Sequence, residues 1–248
     1  MNSTAQADDR SLAALLRGEV AALMAWTAEW RARRVARDVA LIVIGAGTFG
    51  AALGSWRDPW QATFSAIKLP LILLLTATAN ALLNAMLAPL LGLHVKFRQT
   101  LLVILTSFAL AAAILGAFSP LAAFFIWNAP PLAAGANNST THAFILLLLV
   151  LVIAFAGIAA NVRLFQLLGA LAGPASAGRP AGALARRGIA VRVLFAWLAA
   201  NLFFGSQLSW ILRPFVGAPQ LPVQFLRPDA LNGNFFEAVF RSAVRLFN

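Results

Sequence analysis

The run TLLVILTSFALAAAILGAFSPLAAFFIW, Thr100 to Trp127, holds no Lys, Arg, Asp or Glu. At about 1.5 Å per helical residue it is long enough to cross the roughly 30 Å hydrocarbon core of a bilayer. Ala143 to Ala160 and Val193 to Leu212 are also free of formal charge. These runs make lipid the solvent for which the chain is built, and they set the fold class as an all-α polytopic membrane protein.

Composition agrees. A chain of 248 residues that is 61% hydrophobic and 11% charged, with a mean hydropathy of +0.82, has too little polar surface to cover a soluble globule. The net charge of +11 is carried by no soluble basic domain, and no aromatic ladder interleaves with the arginines, which argues against nucleic acid as a partner. With no cysteine there are no disulfides and no thiolate metal sites.

Five spans are expected: Val39 to Ser55, Leu69 to Leu93, Thr100 to about Phe118, Ala143 to Ala160 and Ala190 to Leu212. Before them, residues 1–38 form a cytoplasmic amphipathic segment with Leu12, Leu15, Leu16, Val20, Leu23 and Met24 on one face. After them, residues 213–248 comprise an extended external segment with four prolines and a second amphipathic helix around Phe236, Val239, Phe240 and Phe247. Lys and Arg number six in the N-terminal segment, two in the loop of Lys96 and Arg98, and five from Arg163 to Arg192. The opposite side has six, so the cation bias predicts a cytoplasmic N-terminus and an external C-terminus. Trp56, Trp60, Trp127 and Trp210 then fall at the external interface. Frequent arginine and alanine hint at a GC-rich bacterial genome, hence an inner membrane. Arg31, Arg33, Arg34, Arg37, Arg186 and Arg187 are placed to meet anionic headgroups.

Gly45-Ala-Gly47-Thr-Phe-Gly50 after an apolar run imitates a dinucleotide-binding turn, but no acidic residue stands about twenty positions on and no βα units follow. In lipid, Gly47, Gly50 and Gly54 make a smooth strip against which another helix packs closely. Ala154 and Gly157 form a similar strip in the fourth span, continued at Asn161.

Thr76, Asn80 and Asn84 recur at intervals of four, a polar stripe that must face protein or water. One reading is interhelical hydrogen bonding, for instance to Asn201; the other is a solute or ion pathway. Ser206, Gln207, Ser209 and Arg213 give the external end of the fifth span a polar face, where Arg213 either snorkels to headgroups or recognises a phosphate or carboxylate. Lys68, Arg163 and Arg192 read as interface anchors. Within the spans as drawn there is no Asp or Glu, and His94 and His142 lie at span ends. That leaves no catalytic residues, no metal site and no cofactor to expect, and it disfavours proton-coupled transport.

Five spans with an internal N-terminus, the run Lys68-Leu-Pro-Leu, and Gly92-Leu-His-Val-Lys-Phe-Arg-Gln-Thr-Leu opening the third span together resemble bacterial Yip1-domain membrane proteins over residues 39–212. Relatives in eukaryotes are associated with vesicle trafficking and small GTPases, so the resemblance implies a noncatalytic membrane role. It carries no site residue over to this chain, and the long external tail departs from the pattern.

Taken together, the residues predict a scaffold, lipid-organising element or subunit of a membrane complex, with a membrane protein partner or a second copy. The alternative is a passive channel or small-solute carrier lined by Thr76, Asn80, Asn84 and Asn201.

Overall fold

The computed structural model describes residues 32–90, 97–130, 139–171, 180–217 and 221–237, which are mostly helical and include no strand. Five long helices follow in order: α1 (Ala32–Gly54), α2 (Pro59–Leu90), α3 (Phe97–Trp127), α4 (Ser139–Leu171) and α5 (Pro180–Ile211). Among the described residues, four stretches are long and apolar enough to cross a membrane: Ala32–Gly54, Pro59–Leu83, Thr100–Trp127 and Phe144–Val162. The N-terminal amphipathic helix and most of the C-terminal one lie outside the described residues.

Helix α1 is the centre of the bundle, with α2 on one side and α3 on the other. Beyond them α4 packs on α3 and α5 on α2, with little contact between α4 and α5. This central place follows from missing side chains. A Cβ added at Gly45 would stand 2.1 Å from the Ala112 carbonyl oxygen of α3, and one at Gly50 would stand 2.3 Å from the Ser65 carbonyl oxygen of α2. Gly47 and Gly54 face α2 along the same line. Around these approaches Ile42, Phe49, Leu53, Leu105, Leu115 and Ile145 fill the core. Tight packing of this kind is the main attraction between helices when lipid is as apolar as the side chains.

Several boundaries differ from the sequence reading. Helix α2 begins at Pro59, not Leu69, because Asp58 caps it: its Oδ1 accepts from the Trp60 amide at 2.8 Å, with proline in the first helical position. Helix α3 runs through Ser119 and Pro120 to Trp127, burying Ala122 and Ile126, so the following loop is shorter than drawn. Helix α1 is already helical at Ala32, and this brings a carboxylate into its body. Asp38 is buried and accepts a hydrogen bond from the Thr106 hydroxyl of α3 at 2.7 Å.

The strip in the fourth span faces outward. Ala154 is exposed and a Cβ at Gly157 would meet nothing within 4 Å. Helix α4 buries Ile145, Leu149, Val152, Ala156 and Ala160 instead, which turns Ala154 and Gly157 outward. Asn161 is satisfied within its own helix, donating to the Gly157 carbonyl at 2.8 Å.

Candidate functional site

Most polar chemistry of the described residues gathers where α1 ends and α2 begins, here called the tail end of the bundle. Gln61, Ser65 and Lys68 are spaced by four and three, which puts them on one face of α2. All three are 0% exposed. What covers them is the segment that leaves α5. Gln61 Nε2 donates to the carbonyl oxygens of Pro214 and Phe215 at 3.0 Å each, and Lys68 Nζ to the Pro214 oxygen at 3.0 Å. The Ser65 hydroxyl donates to the Phe215 oxygen. Lys68 also lies over the Phe225 ring, 5.1 Å from its centroid.

The chain therefore folds back here instead of extending away. Val216 is buried in the core cluster, and Gly217 has a φ of +83°, a conformation L side chains rarely adopt. A Cβ at Gly217 would also lie 2.9 Å from Arg57 Cγ. Arg57 then donates to the Leu221 carbonyl at 3.1 Å. On the other side, His142 at the start of α4 is hydrogen-bonded to the Gly217 backbone and lies 6.1 Å from the Trp56 ring. Burial pushes the His142 imidazole below its ordinary pKa, and the bond to Gly217 opposes that in part. Trp56 is itself buried and donates to the Pro130 carbonyl at 3.3 Å. Trp60 and Trp127 are exposed.

Arg213 is engaged within the chain. It pairs with Asp229 at 3.1 Å, donates to the Trp210 carbonyl at 2.8 Å and stacks over the Trp210 ring at 3.8 Å. Trp210 Nε1 donates to the Asn232 carbonyl at 3.3 Å. Ser206 bonds within its own helix to Phe203, while Gln207 and Ser209 are half-buried. Lys68 is the sharpest revision, since a residue read as an interface anchor is enclosed by protein.

Deeper in the bundle, Asn80 Nδ2 of α2 donates to Asn201 Oδ1 of α5. Thr76, one turn away, is buried beside Gly205, and its hydroxyl has no partner among the described residues. The Asn84 side chain lies outside the described residues, as do those of Arg31, Arg186 and Arg187. At the opposite end Arg33 is exposed, while Arg34 and Arg37 are half-buried.

Gln61, Ser65, Lys68, Arg57 and Asp38 were missed as functional positions by the sequence reading. The four-and-three spacing on α2 was the available signal, but nothing local says that its cover arrives some 150 residues later. Chemically, Gln61, Ser65, Lys68 and Arg57 donate to backbone carbonyls of the same chain, whereas Asp38 accepts from the Thr106 hydroxyl. No group of three or more His, Asp or Glu able to hold a metal ion occurs among the described residues. An open groove of about 460 Å³ between α1 and α3, walled by Thr48, Ala52, Ser119, Pro120 and Trp127, has no titratable lining.

No protein-family model matches the chain, and neither a curated protein nor a solved structure is detectably similar to it.

Proposed function

We propose that this chain is a noncatalytic integral membrane protein of a bacterial inner membrane, acting as a scaffold, lipid-organising element or subunit of a membrane complex. Helix α5 is its fifth crossing, the N-terminus is cytoplasmic and the C-terminus external. The resemblance to bacterial Yip1-domain proteins belongs to this reading.

The observation that carries it is the pairing of Asn80 with Asn201 across α2 and α5. Amides that hydrogen-bond to one another hold two helices together and leave fewer groups to line an aqueous path. At the tail end, likewise, the donors of α2 are taken up by the chain's own carbonyls.

A carrier lined by Thr76, Asn80, Asn84 and Asn201 is the second reading. The buried Thr76 hydroxyl without a partner favours it, since such a group could serve a passing solute.

The test is Asn80→Leu and Asn84→Leu in proteoliposomes. The scaffold reading expects weaker folding or assembly. Intact assembly with abolished solute flux would transfer the argument to the carrier. Reporter fusions after Gly173 and at Asn248 test the odd number of crossings and are expected to give opposite signals.

A further inference from the structure

Beyond Gly217 the tail does not stay at the rim of the bundle. Phe225 packs edge-on against Phe64, with centroids 5.5 Å apart, and also lies under Lys68. Counting from the first residue of α2 at Pro59, these two partners sit about 8 and 14 Å along the helix. Phe236 stacks on Phe203 at 6.2 Å and an interplanar angle of 15°, about 12 Å of helix inward from Ile211 at the end of α5. Two separated points of the tail have thus come back down the outer sides of α2 and α5.

Between these points the tail turns large apolar side chains outward. Leu221, Leu226, Leu231 and Phe236 are exposed, Leu231 at 79%. They continue an outward surface already made of Trp60 and Ile67 on α2 and Phe203 on α5. Arg227 is half-buried beside them, Asp229 is engaged by Arg213, and Glu237 stands exposed at the far end of the segment. Asn234 caps a helix that starts at this depth, accepting from the Glu237 amide at 2.8 Å.

We propose that residues 221–237 form an interfacial strap that lies in the phospholipid leaflet at the tail end, with Leu226, Leu231 and Phe236 in the acyl boundary and Arg227 at the level of the phosphates. The occupant of the apolar face is phospholipid because the face is continuous with the outward apolar sides of α2 and α5, to which Phe225 and Phe236 join it through Phe64 and Phe203. Interfacial segments bury their apolar side about 5–10 Å into the headgroup region, and contacts about 8–14 Å along α2 and α5 return the strap to that depth or somewhat past it. The strap rests on the membrane reading of the fold, and it gives the lipid-organising role a physical surface.

The chain has no native cysteine, so single-cysteine labelling needs no background removal. The full-length protein carrying Leu231→Cys or Leu226→Cys is labelled with an environment-sensitive fluorophore and reconstituted in vesicles of phosphatidylcholine and phosphatidylglycerol. Val150→Cys, exposed on α4, is the reference. The strap predicts blue-shifted emission at 231 and 226, quenched more by a nitroxide near the headgroup than by one deep in the acyl chain or by aqueous iodide. The reference responds mainly to the deep nitroxide. Iodide-dominated quenching at both strap positions with a lipid-quenched reference overturns the strap and leaves the membrane reading standing. Protection from all three quenchers also overturns it, in favour of a covering protein surface such as a second copy. Iodide-dominated quenching of the reference as well removes the membrane reading itself.

Discussion

The ammonium group of Lys68 donates to the carbonyl oxygen of Pro214 across 3.0 Å, so a charge enclosed in α2 is answered by the backbone that follows α5. Taking such a group out of water costs on the order of several kcal/mol, and here that cost is offset by one carbonyl, one aromatic face and the fit of the covering segment.

Gln61→Leu is expected to be more harmful than Lys68→Met. The first removes the donor shared by both tail carbonyls, at about 1–3 kcal/mol, because carbonyls that Lys68 and Ser65 only partly satisfy remain buried. The second loses a hydrogen bond but also a buried charge, and should be milder. Unfolding titrations in mixed detergent micelles would rank them; equal midpoints would contradict the account.

At Gly45 even a methyl group meets the Ala112 backbone at 2.1 Å, and backbone cannot swing aside. Gly45→Ala should destabilise the bundle by about 1–3 kcal/mol or more through separation of α1 from α3. Gly157→Ala, with open space around it, should be neutral to slightly stabilising. The same titration reads both variants, and a neutral Gly45→Ala would refute the close approach.

His142 gives the tail a pH dependence. Its folded pKa lies below the ordinary value of 6.5, burial being the larger cause, so the undocked state binds the proton more readily. Stability of docking is then complete above about 6.5 and declines as pH falls through that value toward the folded pKa. Accessibility of a cysteine at Val216 should rise on acidification, and His142→Phe should flatten that response.

A double-mutant cycle on Asn80 and Asn201 should show coupling. Each single change to Leu leaves one amide stranded between helices, at about 0.6 kcal/mol and up to about 1.7 kcal/mol, while the double change recovers part of the loss. Additive losses, measured by helix association or unfolding, would mean that the pair is not an energetic contact.

The helices were legible because charge-free runs in Thr100 to Trp127 and Ala143 to Ala160 leave few alternatives in lipid. Their ends were harder. Gln61, Ser65 and Lys68 interrupt the hydropathy of α2, so the apolar signal starts at Leu69 although Asp58-Pro59 already marks a helix start. Pro120 looks like a stop, yet in α3 it removes only one amide donor while Leu121 to Ile126 continue the apolar run. Drawing the first span from Val39 put Asp38 just outside it, which hid the bond to Thr106. The fold-back of the tail was not legible. Prolines at 214, 219, 222 and 228 fit an extended chain and a returning one equally well, and the deciding contacts join residues about 150 positions apart.

The clamp on Pro214 and Phe215 also fixes an order of events in biogenesis. A ribosome finishes Gln61, Ser65 and Lys68 long before it reaches their acceptors, so the first hairpin must wait with these donors solvated or chaperoned until α5 has emerged. Maturation of the oldest part of the bundle is thereby made contingent on the youngest, and a nascent chain halted at Arg213 would leave an uncompensated cation for quality control to find.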